Sequence, residues 1–159
     1  MRIALQKQNT ARRGNAIIEF ALSATLLFTM LFGTFQFGYT FYVYNQLQAA
    51  IRSGVRYASL RPYTLQGTSC PEKIASAVKN VVVYGEPDPA HSVLPIVKGL
   101  STSKVDVTYA LDAAGVPTDV TVKVNTFTID AVVKTFTFSN KPYANIPFFG
   151  RYAPAENCD

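Results

Sequence analysis

A chain of 159 residues has room for one ordinary domain, or for a membrane anchor carrying a small one. Apolar residues make up 48% and charged residues only 16%, and the charge is unevenly spread: between Asn15 and Ile51, Glu19 is the single formal charge. Arg2, Lys7, Arg12 and Arg13 supply +4 of the net +5, so the basic balance belongs to an N-terminal tail and gives no ground for a nucleic-acid partner.

Residues 1–14 therefore read as a basic leader ahead of an apolar run over residues 15–44. A helix of that length extends about 45 Å at 1.5 Å per residue, against a hydrocarbon thickness of about 30 Å. It is long enough to cross a bilayer and project beyond it. The positive-inside bias holds the basic tail in the cytoplasm and sends the far end outward. That outer end carries Phe35, Phe37, Tyr39, Phe41, Tyr42 and Tyr44, a composition suited to the far membrane interface. No small-residue cleavage site follows the run, so the segment reads as a retained anchor and not as a secretory signal. Within it Ala21, Thr25, Thr29 and Gly33 recur four residues apart, a small-residue stripe that permits close helix approach, although these residue types are common in membrane helices.

Beyond Tyr44 the helical period continues in a different register of polarity. Leu47, Ala50, Ile51, Gly54, Val55 and Ala58 alternate with Gln48, Arg52, Ser53, Arg56 and Ser59, which predicts an amphipathic extension over residues 45–61. Arg52, Arg56 and Arg61 read as a solvated face, with lipid headgroups or a partner's acidic surface as the alternative. Pro62 disfavours helix at the residue before it and marks the stop.

Residues 62–159 are expected to form a small periplasmic or extracellular α+β domain. "RPYTLQGTSCPE" has loop composition, and "PEKIASAVKNVVVYG" predicts a shorter helix with Pro71 in its first turn, Glu72 favourable to the dipole and Gly85 past its end. "EPDPAHSVLPIVKG" is irregular. "KVDVTYAL" puts Val105, Val107, Tyr109 and Leu111 on one face, "DVTVKVNTFTI" does the same for Val120, Val122 and Val124, and "DAAGVPT" between them supplies a turn. "AVVKTFTF" follows after Asp130 alone, joined by a tight reversal or as one long bent strand. The expectation is an antiparallel sheet of about three strands packed on the amphipathic helix and the shorter helix. The tail from Ser139 is expected as coil. In an oxidising compartment Cys70 and Cys158 either pair or remain two thiols. Closing that loop of about 88 residues would contribute roughly 4.6 kcal/mol in the chain-entropy account.

Little of this is catalytic. His91 is the single histidine and stands in a proline-rich loop, and two distant cysteines do not make a zinc site. No phosphate-binding glycine loop or nucleophile elbow occurs, and the strand aspartates Asp106, Asp112, Asp119 and Asp130 lie at strand ends or alternate with valines. The expectation is a protein without enzymatic activity, metal or cofactor.

Glu19 is the exception that needs a reason. A carboxylate within a membrane helix costs about 2.5–3.5 kcal/mol at the bilayer centre and less near an edge. One reading is bland: Glu19 lies near the helix start, where the dipole favours negative charge and the side chain can snorkel to headgroups. The other reads the whole string "RRGNAIIEFAL": basic pair, Gly14, four residues, then Glu19 and Phe20. This resembles the prepilin processing site of the type IV pilin superfamily. More narrowly, "RRGNAIIEFAL", the aromatic span ending "FQFG" and "LQAAIRSGVRYASL" are similar to the TadE-like minor pilins of Flp/Tad pilus systems, over about residues 12–60. The resemblance implies cleavage between Gly14 and Asn15 by a membrane-embedded prepilin peptidase, with Glu19 as fifth residue of the mature chain. It further implies a bilayer, other Tad/Flp pilin subunits and inner-membrane platform proteins as partners, at the bacterial inner membrane or in an adhesive filament. The chain departs from the pattern in lacking a proline in "SATLL" and in carrying Gln36 where many relatives have an acid.

The resemblance also suggests a role for Glu19: meeting the new Asn15 amine of a neighbouring subunit, a pair that would set helix register. The alternative function is an unprocessed single-pass anchor presenting an assembly or binding module. A secreted product would need a signal cleavage site that the sequence does not offer.

Overall fold

The computed structural model describes residues 7–63, 70–131 and 134–150. Residues 1–6, the 64–69 part of the expected loop, and the tail with Cys158 lie outside the described residues, as do the side chains of Arg12, Arg13 and Cys70, so the expected Cys70–Cys158 pairing does too.

One continuous helix, α1 (Lys7–Leu60), runs for 54 residues, about 80 Å at 1.5 Å per residue. It passes through Gly14 without a break and ends two residues before Pro62, where the ring forbids continuation. The six residues expected on its apolar stripe, Leu47, Ala50, Ile51, Gly54, Val55 and Ala58, are all buried. Ser59, expected between them on the polar face, is buried as well and donates to the Arg56 carbonyl at 3.0 Å.

The shorter helix α2 (Cys70–Tyr84) lies against this stripe through Val78 and Val82, both fully buried. The crossing is close at Gly54, where a Cβ would run into Val82 Cγ2. Gly85 ends α2 in the left-handed region at φ +86°, its N–H donating to the Val81 carbonyl at 3.0 Å, as a glycine C-cap does. The irregular stretch after it returns to the core: Ile96 N–H donates to the Val83 carbonyl at 2.8 Å, and Val97 and Leu100 are buried.

After a short 3-10 turn (Thr102–Lys104), β1 (Val105–Leu111) and β2 (Pro117–Val124) form an antiparallel hairpin. The Asp112 carboxylate accepts from the N–H groups of Ala114 and Val116, both at 2.8 Å, and Gly115 takes φ +79°, which is the turn chemistry expected of "DAAGVPT". Val107 faces Val122 and Tyr109 faces Val120 across the pair. On the opposite face Lys123 Nζ lies 3.3 Å from Asp106, a partly exposed ion pair worth at most about 1 kcal/mol.

Two expectations are corrected here. "DVTVKVNTFTI" is not one strand: inward positions change parity from Val120, Val122 and Val124 to Phe127 and Ile129. A strand alternates faces with period two, so the chain must break at Asn125. There Asn125 N–H donates to the Lys104 carbonyl at 2.8 Å, and β3 (Thr126–Asp130) starts a separate sheet, paired antiparallel with β4 (Thr135–Ser139). The tight reversal is thus the one between β3 and β4. The tail is also not all coil. β5 (Tyr143–Pro147) pairs antiparallel with β2, placing Ile146 opposite Val120 and Ala144 opposite Val122. Its small and apolar residues alternate too briefly to stand out. Among the described residues the α+β domain therefore has five strands, in a three-stranded sheet ordered β1-β2-β5 and a two-stranded β3-β4 ribbon.

The three-stranded sheet packs on α1 through β2 and β5 and on α2 through β1. One core joins Leu47, Ile51 and Val55 of α1, Val78 and Val82 of α2, and Val105, Val120, Val122 and Phe127 of the strands.

Candidate membrane and assembly helix

The domain covers α1 only from Gln36 onward. From Asn15 to Phe35 every side chain is exposed except Ala24 and Gly33, which are half-buried. Large apolar residues such as Ile17, Phe20, Leu22, Leu26, Phe28 and Met30 stand free of any contact that would bury them. Residues 15–35 extend about 31 Å at 1.5 Å per residue, close to a hydrocarbon thickness of about 30 Å. Among the described residues α1 is the one helix long and apolar enough to cross a membrane, over Gly14–Leu60.

Gly14 and Asn15 sit within continuous helix, both exposed. A Cβ at Gly14 would meet nothing within 4 Å. Glycine inside a helix costs about 0.8–1 kcal/mol relative to alanine, and nothing in the fold requires it here. Gly54 is the contrast, since its lack of a side chain is what lets α2 approach.

Glu19 is exposed one helical turn beyond Asn15, with Phe20, 75% exposed, beside it. Among the described residues Glu19 has no ionic or hydrogen-bonding partner. Helical side chains lean toward the N-terminus, so its carboxylate is directed toward the level of Asn15.

The small-residue stripe is also satisfied internally. Thr25 Oγ1 donates to the Ala21 carbonyl and Thr29 Oγ1 to the Thr25 carbonyl, both at 2.8 Å. Each hydroxyl is thereby paired within the helix, as an apolar surrounding demands. Four-residue spacing drifts about 40° per step at 3.6 residues per turn, so the stripe is an oblique ridge that turns about 120° from Ala21 to Gly33. It lies on the side of α1 that the domain occupies farther along, since Gly33 is one turn from the buried Gln36.

Gln36 marks the edge of the covered region. It is 6% exposed, and its Nε2 donates to the Lys134 carbonyl at 2.6 Å. The sequence singled out Gln36 only as a departure from a pattern, and nothing in it foretold that residues 98 positions apart would meet. Arg52 and Arg56 are exposed as expected, Arg61 stacks on the Tyr57 ring at 4.5 Å, and His91 is exposed in a turn.

At the far end of the domain Tyr63, Tyr109 and Phe148 form an aromatic cluster, with the Tyr63 and Tyr109 centroids 4.9 Å apart. Burial, and then the nearby Tyr63, push the Tyr109 hydroxyl up from about 10 to about 12. Its oxygen is buried without a partner among the described residues.

Residues 14–56 match the family model of TadE-like proteins. No curated protein and no solved structure matches the chain. The matched region opens on Gly14, takes in the uncovered apolar length and Glu19, and ends within the buried stripe of α1, leaving the strands outside it.

Proposed function

We propose that this protein is a minor pilin or pseudopilin of a Tad-type pilus, made as a membrane-inserted precursor and cut between Gly14 and Asn15 by a prepilin peptidase. The observation that carries the reading is the placement of Gly14, Asn15 and Glu19 at the head of an uncovered apolar segment of bilayer length, inside the region matched to TadE-like proteins. A glycine that the fold does not use is consistent with a demand made by an external enzyme. In this reading the chain is a substrate and a structural component, and not itself an enzyme.

Cleavage would free a positive amine on Asn15. In a bundle of parallel helices the Glu19 carboxylate, leaning toward that level, meets the amine of a neighbour and fixes register. Removing one partner from a buried pair costs about 3–5 kcal/mol, which makes such a contact a strong selector of alignment. The ridge of Ala21, Thr25, Thr29 and Gly33 supplies low relief for close packing of the same helices. The domain would then sit on the periplasmic side, where it meets other pilin subunits or platform proteins.

The test is the intact mass of the membrane-extracted protein, expressed with and without its cognate prepilin peptidase and compared with Gly14→Ala. Peptidase-dependent loss of residues 1–14, blocked by the substitution, is the expected result. A full-length chain under both conditions would overturn the processing step and move the reading to a fixed single-pass anchor.

A further inference from the structure

Above the uncovered segment, α1 and the β3–β4 ribbon enclose an apolar groove lined by Phe37, Thr40, Phe41, Tyr44, Phe136 and Phe138. Two contacts fix how it lies. At one end Gln36 Nε2 reaches the Lys134 carbonyl at 2.6 Å, and at the other the Tyr44 and Phe138 rings are 5.4 Å apart. From Lys134 to Phe138 the strand climbs about 13 Å, and from Gln36 to Tyr44 the helix climbs about 12 Å. β4 therefore runs alongside α1 in the same direction, and its first residue, Thr135, lies at the end of the ribbon nearer the uncovered segment.

A bilayer threaded by residues 15–35 ends its hydrocarbon at Gln36. The headgroup layer adds roughly 5–8 Å on each side, which is the level of Phe37, Thr40 and Phe41. We propose that the β3–β4 ribbon is a membrane-contacting foot. The ester and headgroup region of lipids in the leaflet on the domain side lies in the groove against the aromatic rings, and Lys134, exposed at the hydrocarbon boundary, snorkels outward to their phosphates. This rests on reading α1 as membrane-spanning.

The groove's chemistry fits such an occupant. Phe37 and Phe41 are 59% and 65% exposed, and in water they would form an open aromatic patch. Thr40 is the one hydroxyl-bearing residue of the helical wall besides Tyr44, and its Oγ1 already donates to the Gln36 carbonyl at 2.9 Å. Aromatic rings with a lysine beside them are what interfacial protein surfaces present. The consequence is mechanical: a foot on the same face as the domain fixes both the depth of α1 and the rotation of the domain about it.

The chain contains no tryptophan, so an introduced one is the sole indole reporter. Full-length Phe136→Trp, Phe41→Trp, Phe28→Trp and Phe149→Trp would be reconstituted in phosphatidylcholine vesicles with a minority of phosphatidylglycerol, using lipids brominated near the carbonyl or near the chain end. Phe41→Trp is an exposed position and guards against a folding defect at Phe136. Expected is about two-fold or greater quenching of the indoles at 136 and 41 by carbonyl-proximal bromine, as for interfacial aromatics. The indole at 28 should respond more to deep bromine, and the one at 149, on the far side of the domain, to neither. Quenching at 28 with none at 136 and 41 overturns the foot and leaves the anchor standing. Blue-shifted but unquenched emission at 136 and 41 that depends on the protein-to-lipid ratio also overturns it, and assigns the groove to a second copy of the chain. No quenching at 28 removes the membrane span and the foot with it.

Discussion

Gly54→Ala offers a sharp test of how the domain is held to its helix. On an open helix surface the change stabilises by about 1 kcal/mol, because alanine restricts the unfolded chain and shields the backbone. At this position the new Cβ enters the space of Val82 Cγ2, with the Val78 carbonyl oxygen at 3.6 Å beyond. Val82 is fully buried, and a β-branched side chain in a helix has one strongly preferred rotamer, so it cannot swing away cheaply. Overpacking of this kind costs about 1–3 kcal/mol. The net effect is a loss of about 1 kcal/mol, which for a domain of this size lowers Tm by roughly 4–8 °C. Near-ultraviolet circular dichroism of the full chain in detergent follows the melt through the Tyr63–Tyr109 cluster. Combining Gly54→Ala with Val82→Ala should cost less than the sum of the two, because the obstructing methyl groups are gone. An unchanged or raised Tm for Gly54→Ala, or strict additivity in the double variant, would refute the close-crossing argument. Gly14→Ala is the control: its Cβ meets nothing within 4 Å, so the domain melt should not move.

Four further outcomes are expected. Tyr109→Phe should leave neutral-pH stability unchanged or slightly higher, since it removes a buried hydroxyl that lacks a partner among the described residues. Because the folded state holds Tyr109 protonated up to about pH 12 against about 10 when unfolded, its contribution is fully present below pH 10 and is lost between those values. Alkaline melts of Tyr109→Phe should therefore fall less steeply in that window. Gln36→Glu replaces a donating amide by an ionised acceptor facing the Lys134 carbonyl, and should lower stability by about 1–3 kcal/mol at neutral pH. Melts repeated at acid pH, where a protonated carboxyl can donate again, should recover part of the loss. Phe127→Ala empties a core position that is 2% exposed and should cost about 3–5 kcal/mol by chemical denaturation. Glu19→Ala should be inserted and processed normally yet be depleted from sheared filaments, and normal incorporation would remove the pairing role.

The helical part of the protein was legible from its sequence because helical order is local. The apolar run, the change to an amphipathic period and the stop before Pro62 each follow from spacing within a few turns, and the six residues of the expected stripe are the ones buried. Gly85 as helix cap and Asp112 with Gly115 as hairpin turn were readable for the same reason, since the backbone geometry is set by the residue itself. The resemblance drawn from "RRGNAIIEFAL" and its surroundings and the match over residues 14–56 fall on the same segment.

What the tertiary structure decided is where the long helix stops being alone. Composition runs unbroken from Asn15 to Tyr44, and no local signal divides it, yet packing separates an uncovered length ending at Phe35 from a covered one beginning at Gln36. The division depends on Lys134 and Phe138, about a hundred residues away along the chain, whose strand could be located only once Asn125 had broken the run before it. β5 was invisible for a related reason. Five residues of weak alternation become a strand because β2 offers them an open row of hydrogen-bonding groups and α1 an apolar wall. Local spacing determines which residues turn inward, but which distant element they meet is set by the closure of the whole core.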